Sequence, residues 1–485
     1  MERVLENLSP KSVFTYFEDL TRIPRCSGDE KKVSDYLVDF AKERNLEVIQ
    51  DEALNIIIRK PGTKGYENAP TVILQGHMDM VCEKNKGTKH DFSKDPLNLR
   101  IKDDMIWATD TTLGADNGIA VAYCLAILDS NDIPHPPLEI LVTTEEETGM
   151  GGANQLNPNN LKGKTLINID SEEEGVLLVS CAGGVRNKVH IPIEYSKVEK
   201  DLLPYTLKLR GLKGGHSGME INKERGNANK LMGRILYSIE SNFDISLSDI
   251  NGGAKMNAIP REIDATILID SSHKEDLENE VNNWNRIFKN ELKTSDPGVY
   301  IGCDFVEDDI ERAFSKKTTK KVISALMLMP NGIQSMSMDI EGLVESSTNL
   351  GVVTTAEDKV VLESAIRSSV RTLKDDIATK IETMAKLIDA EVTNEASYPE
   401  WEYKKDSYIR EVFVNVYENI FGKKPEITAI HAGLECGLFG EKLGDVDMIS
   451  FGPNMFDVHT PDEHLSISST QRMWKYLLGV LKEIK

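Results

Sequence analysis

The pattern of apolar positions changes twice along the chain. In the first third, short apolar runs alternate with helical patterns. "TVILQ", "LEILVTT" and "TLINI" are largely continuous in apolar residues, the mark of parallel strands covered on both faces. Between them, "KKVSDYLVDFAKERN" repeats apolar residues at helical spacing. "NGIAVAYCLAILDS" is apolar almost all round, which predicts a buried helix. "MERVLENLSPKSVFTYFEDL" reads as a polar amphipathic helix without an apolar signal core. Strand and helix alternating in this way predict an α/β sheet.

From about Val185 to about Pro399 the strands alternate instead, and the helices are long and charged, as in "SSHKEDLENEVNNWNRIFKNELK" and "RTLKDDIATKIETMAKLIDAE". Two halves of similar layout follow one another. One runs from "YTLKLRGLKGGHSG" through "VYIGCDFVED", the other from "TKKVISALMLM" through "AEVTNEASY". After residue 400 the first pattern returns, with helices "SYIREVFVNVYENIFG" and "TQRMWKYLLGVLKEI" and short strands "EITAI" and "VDMISF". The expectation is a two-domain α/β protein. Its mainly parallel-sheet domain is built from residues 1–184 and 400–485, and an α+β domain of two similar halves is inserted at 185–399.

Composition narrows the function. With 485 residues, 40% of them hydrophobic and 28% charged, the chain is globular and too long for one core. A net charge of −22 argues against a nucleic-acid partner. No apolar stretch approaches the ~18 residues of a membrane span, so no membrane partner and a cytoplasmic location are expected. The six cysteines are scattered with no CxxC pair. That argues against a thiolate zinc site and suggests reduced thiols.

Chemistry enters at the strand ends. "TVILQG" is followed by His77 and Asp79, "LEILVTT" by Glu145, Glu146 and Glu147, "TLINI" by Asp170, and "VDMISFGPNMFDV" by His459. Asp116 stands where the buried helix begins. In open parallel sheets ligands bind outside the carboxyl ends of the strands. Alone, a histidine there is more often structural and an Asp at a helix start more often an N-cap. Jointly, so many like charges on one edge are costly unless a cation compensates them. Two histidines and several carboxylates without cysteine suit zinc or a similar divalent ion, and five groups with a shared carboxylate suit two ions about 3.5 Å apart.

The motifs "GHMDM", "LGADNGIA", "EEETG", "INIDSEE" and "DVHTPDE" occur in the order found in the co-catalytic zinc exopeptidases, the family that includes carboxypeptidase G, peptidase T and carnosinase. The chain resembles that family over essentially its whole length. "LQGHMDMVCEKN", "GGHSGMEI", "HAGLECG" and "FGPNMFDVHTPDEHLSI" look like its aminoacyl-histidine (Xaa-His) dipeptidase branch. The resemblance implies that His77 and Asp170 hold one ion, that Glu147 and His459 hold the other, and that Asp116 bridges them. The ions would be zinc, with cobalt or manganese as substitutes. It implies that Asp79 orients His77, that Glu146 is the general base, and that Glu145 has no chemical part. His216 in "LKGGHSG" would be an oxyanion donor from the inserted lid domain, and Arg367 would bind the substrate α-carboxylate with Asn257 beside it. Glu435 would meet the free amine. His431, His464 and Glu172, Glu173 and Glu174 are read as structural or as supporting the ion-binding residues from behind. A cis peptide is expected at Asp116–Asn117. The implied activity is hydrolysis of unblocked dipeptides, with a homodimer through the lid allowed. The same metal set would serve a tripeptide aminopeptidase or an aminoacylase. An inactive binding relative would be expected to lack a ligand or the base, and none is missing.

Overall fold

The computed structural model describes residues 3–485, which form two compact units. Unit 1 comprises residues up to Ser180 with Tyr403–Ala429 and Leu434–Lys485. Unit 2 comprises Cys181–Glu402 with Ile430–Gly433. The last four residues were expected in the first unit. Inside unit 2, Ala182 N–H donates to Ile430 O at 3.1 Å, and His431 Nε2 lies 2.7 Å from Ser347 Oγ.

Unit 1 is built on an eight-stranded mixed sheet. At its centre four strands run parallel, in the order Leu138–Thr143, Val72–His77, Thr165–Asn168, Asp447–Ser450. Every residue of Val72–His77 and Leu138–Thr143 is buried, as their continuous apolar character requires. The flanking strands Ile56–Lys60 and Val176–Cys181 pair antiparallel. Helix Ala115–Asp129 is buried from Ala115 through Leu128. Gly76 lets it approach the sheet, since a Cβ there would lie 2.4 Å from Asn117 Oδ1 and 2.7 Å from Ala120 Cβ.

Two local expectations are corrected. The N-terminal helix covers only Lys11–Thr21. Pro10 stands at its N-cap, where its fixed φ opens the helix and excludes it from the interior. Met1 and Glu2 of the predicted helix lie outside the described residues. Cys26 and Cys82, expected as reduced thiols, are joined by a disulfide with Cα atoms 5.7 Å apart. Their separation of 56 residues concealed the pairing. The fold brings Cys26 beside Met80 in a parallel bridge and so carries it to Cys82.

Unit 2 contains a nine-stranded antiparallel sheet. One half consists of strand Leu202–Arg210, helix Ala228–Asn242, strands Ile245–Gly252 and Ile263–Asp270, helix Lys274–Glu291 and strand Tyr300–Phe305. The other consists of strand Gly183–Pro192, helix Lys316–Leu328, strands Val344–Thr355 and Lys359–Ser368, helix Arg371–Leu387 and strand Glu391–Tyr398. With the strands of each half counted along the chain, both have the spatial order 4-1-3-2. The second half takes its first strand from before the first half, which is therefore an insertion within it. They join through Gly252 and Val353.

Candidate active site

The four parallel strands deliver their next residues to one edge of the unit 1 sheet. His77 ends its strand, Glu146 and Glu147 follow Leu138–Thr143, and Asp170 follows Thr165–Asn168. His459 follows Asp447–Ser450 after a short hairpin strand and takes φ 63°, a left-handed conformation uncommon outside glycine. Asp116 and Asn117 open helix Ala115–Asp129 in non-helical conformations, and the peptide between them is cis.

Asp116 is the hinge of the site. Its Oδ1 lies 3.0 Å from His77 Nε2 and its Oδ2 lies 3.1 Å from His459 Nε2. His77 Nε2 is also 3.4 Å from Asp170 Oδ1, and His459 Nε2 is 3.0 Å from Glu147 Oε2. Three groups have candidate ligand atoms within 4.8 Å of one another: His77–Asp116–Asp170 and Asp116–Glu147–His459, which share Asp116, and His77–Glu146–Glu147. His77 is fully buried, Asp116 is buried and Asp170 half-buried, and Glu147 Oε1 is buried without a hydrogen-bond partner. Hydrogen bonds to Asp116 and Glu147 push His459 up to about 11. Burial alone would lower His77, but Asp170 and Asp116 outweigh it and raise it well above its usual value. Burial pushes Asp170 up to about 6. Protons are thus drawn to the space among the ligands. A donor set of imidazoles and carboxylates with an orphaned buried oxygen fits divalent cations in their place.

Asp79 does more than face His77, whose Nδ1 is 3.3 Å from Asp79 Oδ1. It accepts the backbone N–H of Glu146 at 3.1 Å and of Glu147 at 3.2 Å, and the Ser27 hydroxyl at 2.8 Å. One carboxylate therefore braces His77 and the turn carrying both glutamates. Burial pushes the Glu146 carboxyl well above the usual range, and the negative Asp170, Glu435 and Glu147 add to the effect. From the sequence, Asn117 is named only as a member of the expected cis peptide, with no role for its side chain. Its Oδ1 accepts from His77 N–H at 3.3 Å and its Nδ2 donates to Ile169 O at 2.7 Å, tying two strand ends together. Its place beside Asp116 was the only available signal.

Glu435 begins helix Glu435–Leu443 and is fully buried. Its Oε2 accepts from Gln75 Nε2 at 2.6 Å and Thr143 Oγ1 at 2.9 Å, while Oε1 has no partner. Burial pushes it up to about 8. Gln75 stands two residues before His77 in the same strand and so points to the same side. His464, read as structural, stacks on Trp107 at 4.0 Å, and Glu174 makes a bidentate pair with Arg472.

Unit 2 assembles its own cluster. His216 Nδ1 accepts the N–H groups of Gly218 at 3.2 Å and Met219 at 3.1 Å, which leaves Nε2 to carry the proton. Burial and the charge of Arg367 lower its pKa. A Cβ on Gly218 would lie 3.2 Å from both Arg367 Nε and His216 Cε1, so these groups crowd one spot. Arg367 Nη1 donates to Tyr398 Oη at 2.9 Å, and its Nε is buried and unpartnered. Asn257, Arg367 and Tyr398 line a pocket of about 510 Å³ together with Arg186, Lys255 and Glu363. Tyr398 was not foreseen, because its tie to Arg367 crosses 31 residues. His431 is buried against Ser347, and burial, reinforced by Arg367 and His216, lowers it to about 3. Its imidazole is therefore neutral near pH 7.

The family model for peptidase family M20/M25/M40 matches residues 73–483. The cytosol non-specific dipeptidase of Escherichia coli (strain K12) is 40% identical over 480 residues, 99% of each chain. The crystal structure of aminoacylhistidine dipeptidase from Vibrio alginolyticus has a TM-score of 0.96 at 39% identity, covering 99% of this chain and 98% of that one. An aminopeptidase from Bacillus cereus, at 15% identity and a TM-score of 0.57 over 98% of this chain and 99% of that one, shares the fold alone. Matched along nearly its whole length, the chain belongs to peptidase family M20/M25/M40 and is a metal-dependent peptide hydrolase of that family.

Proposed function

We propose that the protein is a cytoplasmic dinuclear metallo-dipeptidase that cleaves unblocked dipeptides, with histidine preferred in second place and zinc as its metal. The observation that carries the reading is the sharing of Asp116, whose two oxygens each face a different histidine. His77 and Asp170 would hold one ion and Glu147 and His459 the other. When bound, divalent ions supply Lewis acidity that polarises the scissile carbonyl and lowers the pKa of water towards neutrality. Glu146 takes a proton from the attacking water and returns it to the leaving amine, and its raised proton affinity suits both steps. Asp79 keeps His77, Glu146 and Glu147 in register through its four contacts. Glu435 Oε1, buried and unpartnered, is the proposed acceptor for the substrate's free amine.

Unit 2 supplies recognition in this reading. His216 Nε2–H donates to the developing oxyanion. Arg367 pairs with the substrate α-carboxylate through its planar guanidinium, with Asn257 as companion. Histidine preference draws on the likeness to a structure named for aminoacylhistidine cleavage, while the curated relative is named non-specific. The cytoplasmic location draws on the relative's name, and no helix among the described residues is long and apolar enough to cross a membrane. A homodimer through unit 2 belongs to the same proposal, and light scattering tests it.

The deciding experiment is kcat/KM for an Xaa-His dipeptide, its amide, a tripeptide and an N-acetyl amino acid, with zinc, cobalt, manganese or no added metal. The unblocked dipeptide is expected to lead. A tripeptide in first place would indicate an aminopeptidase, and an N-acetyl amino acid an aminoacylase.

A further inference from the structure

Two buried charges that the proposed chemistry leaves unused hold the loop that presents Asp116. Glu463 is 2% exposed. Its Oε2 accepts the N–H of Leu113 at 2.7 Å and of Gly114 at 2.9 Å. Its Oε1 accepts the N–H of Ala115 at 2.7 Å and of Asp116 at 3.4 Å. Arg25, also 2% exposed, donates to the carbonyls of Met78 at 2.9 Å and Asp79 at 3.0 Å, and to that of Gly114. Gly114 is therefore held through its N–H by Glu463 and through its carbonyl by Arg25. It has φ 66°, and a Cβ there would lie 2.5 Å from Arg25 Nη2 and 2.7 Å from Met80 Sδ. Only glycine fits the grip.

A helix cap alone does not account for this arrangement. Asp116 and Asn117, the second and third residues of the helix, are not helical, so the N–H groups of Leu113, Gly114 and Ala115 are not those of a regular first turn. Nor is stability a sufficient reason. Burying two ions costs several kcal/mol each, and apolar groups of similar volume often stabilise as well or better. What the two charges achieve together is geometric. Arg25 ties the backbone just after His77 to the backbone just before Asp116, and Glu463 fixes the latter from the other side. Asp116 must satisfy two partners at once, at 3.0 Å and 3.1 Å through different oxygens. A small rotation of its loop would favour one partner at the other's expense.

We propose that Glu463 and Arg25 are positioning residues for the bridging carboxylate. They hold Asp116 so that it serves both metal positions together, and losing either uncouples the two positions rather than emptying both. This inference rests on the dinuclear reading. The test uses full-length, metal-stripped protein titrated with Mn²⁺ and followed by calorimetry and low-temperature EPR. At two equivalents the wild type should give the exchange-coupled spectrum of a bridged pair. Glu463→Gln, with native circular dichroism, should keep one site near wild-type affinity and weaken the other about 10- to 100-fold, the usual effect of removing an outer-shell partner. The six-line signal of isolated Mn²⁺ should replace the coupled one. Arg25→Lys keeps the charge but shortens the hydrogen-bonding reach, and should give an intermediate loss of coupling. A wild type without a coupled spectrum would sink the dinuclear reading itself. A coupled wild type beside an equally coupled Glu463→Gln that differs only in thermal stability would overturn this inference alone. If Glu463→Gln does not fold, a fully coupled Arg25→Lys overturns it. If neither variant accumulates folded protein, the pair is a folding element and the inference falls.

Discussion

The metal edge of unit 1 and the pocket of unit 2 are opposites in charge and in construction. The edge sets five carboxylates, Asp79, Asp116, Glu146, Glu147 and Asp170, around His77 and His459. The pocket sets Arg186, Lys255 and Arg367 against one acid, Glu363. The edge is assembled from the ends of parallel strands, whereas the pocket is assembled from loops and from strands whose order no local pattern specifies. Concentrated negative charge is tolerable only with a cation to offset it. Concentrated positive charge suits an anionic end of a substrate. The proposed division of labour is therefore chemistry on unit 1 and recognition on unit 2, and each half of that comparison can be attacked separately.

The largest effect should come from the base. Glu146→Gln removes the proton acceptor and leaves every proposed ligand intact. Turnover should fall roughly 10²- to 10⁴-fold while metal analysis still finds two ions. Glu147→Gln should lose metal first, and the reverse pattern would exchange the roles of these neighbours. On the other side of the comparison, His216→Ala should cost about 3–4 kcal/mol in the barrier, as for other lost oxyanion donors, with metal content unchanged. An unaltered rate would return His216 to a structural role. Arg367→Ala should act more weakly, by about 1.5–3 kcal/mol in kcat/KM, the range for a hydrogen bond to a charged group. The loss should fall on free dipeptides and not on their C-terminal amides. Equal losses on both would show that Arg367 supports the pocket rather than reading the carboxylate.

The stability of the metal-free protein stands on a separate scale from the rate effects. Glu435 is raised from 4.5 to about 8 by burial. The folded state thus binds this proton more tightly than the unfolded chain. Its contribution is complete below pH 4.5 and is lost as pH rises through about 8. At ~1.4 kcal/mol per unit the total is a few kcal/mol. Glu435→Gln imitates the protonated acid. Thermal denaturation of the metal-free variant should therefore vary less with pH across that window and give the higher Tm at its alkaline end. Parallel curves for variant and wild type would mean that Glu435 does not carry this proton.

The metal edge was legible in the sequence because its grammar is local. Continuous apolar runs mark strands buried on both faces, and a parallel strand brings its next residue to a common edge wherever it lies in the chain. His77, Glu146, Glu147, Asp170 and His459 could thus be grouped before any distance was known, and Asp116 joined them from the start of the buried helix. The inserted unit was also visible, as a change from continuous to alternating strands, although its second half looked complete without the strand Gly183–Pro192 that precedes both halves.

Only the tertiary structure decided what joins residues with no shared period. Glu463 reaches Leu113 across 350 residues, Arg25 reaches Gly114 across 89, and Glu435 reaches Gln75 across 360. Cys26 meets Cys82 because one bridge lays its segment beside Met80. Ile430–Gly433 belong to unit 2 although the segments on either side belong to unit 1. Hydrophobic periodicity specifies which face of an element is buried. A buried charge or polar group is instead satisfied by whichever partner the packed chain brings within hydrogen-bonding reach, and that distance has no counterpart in the order of the residues.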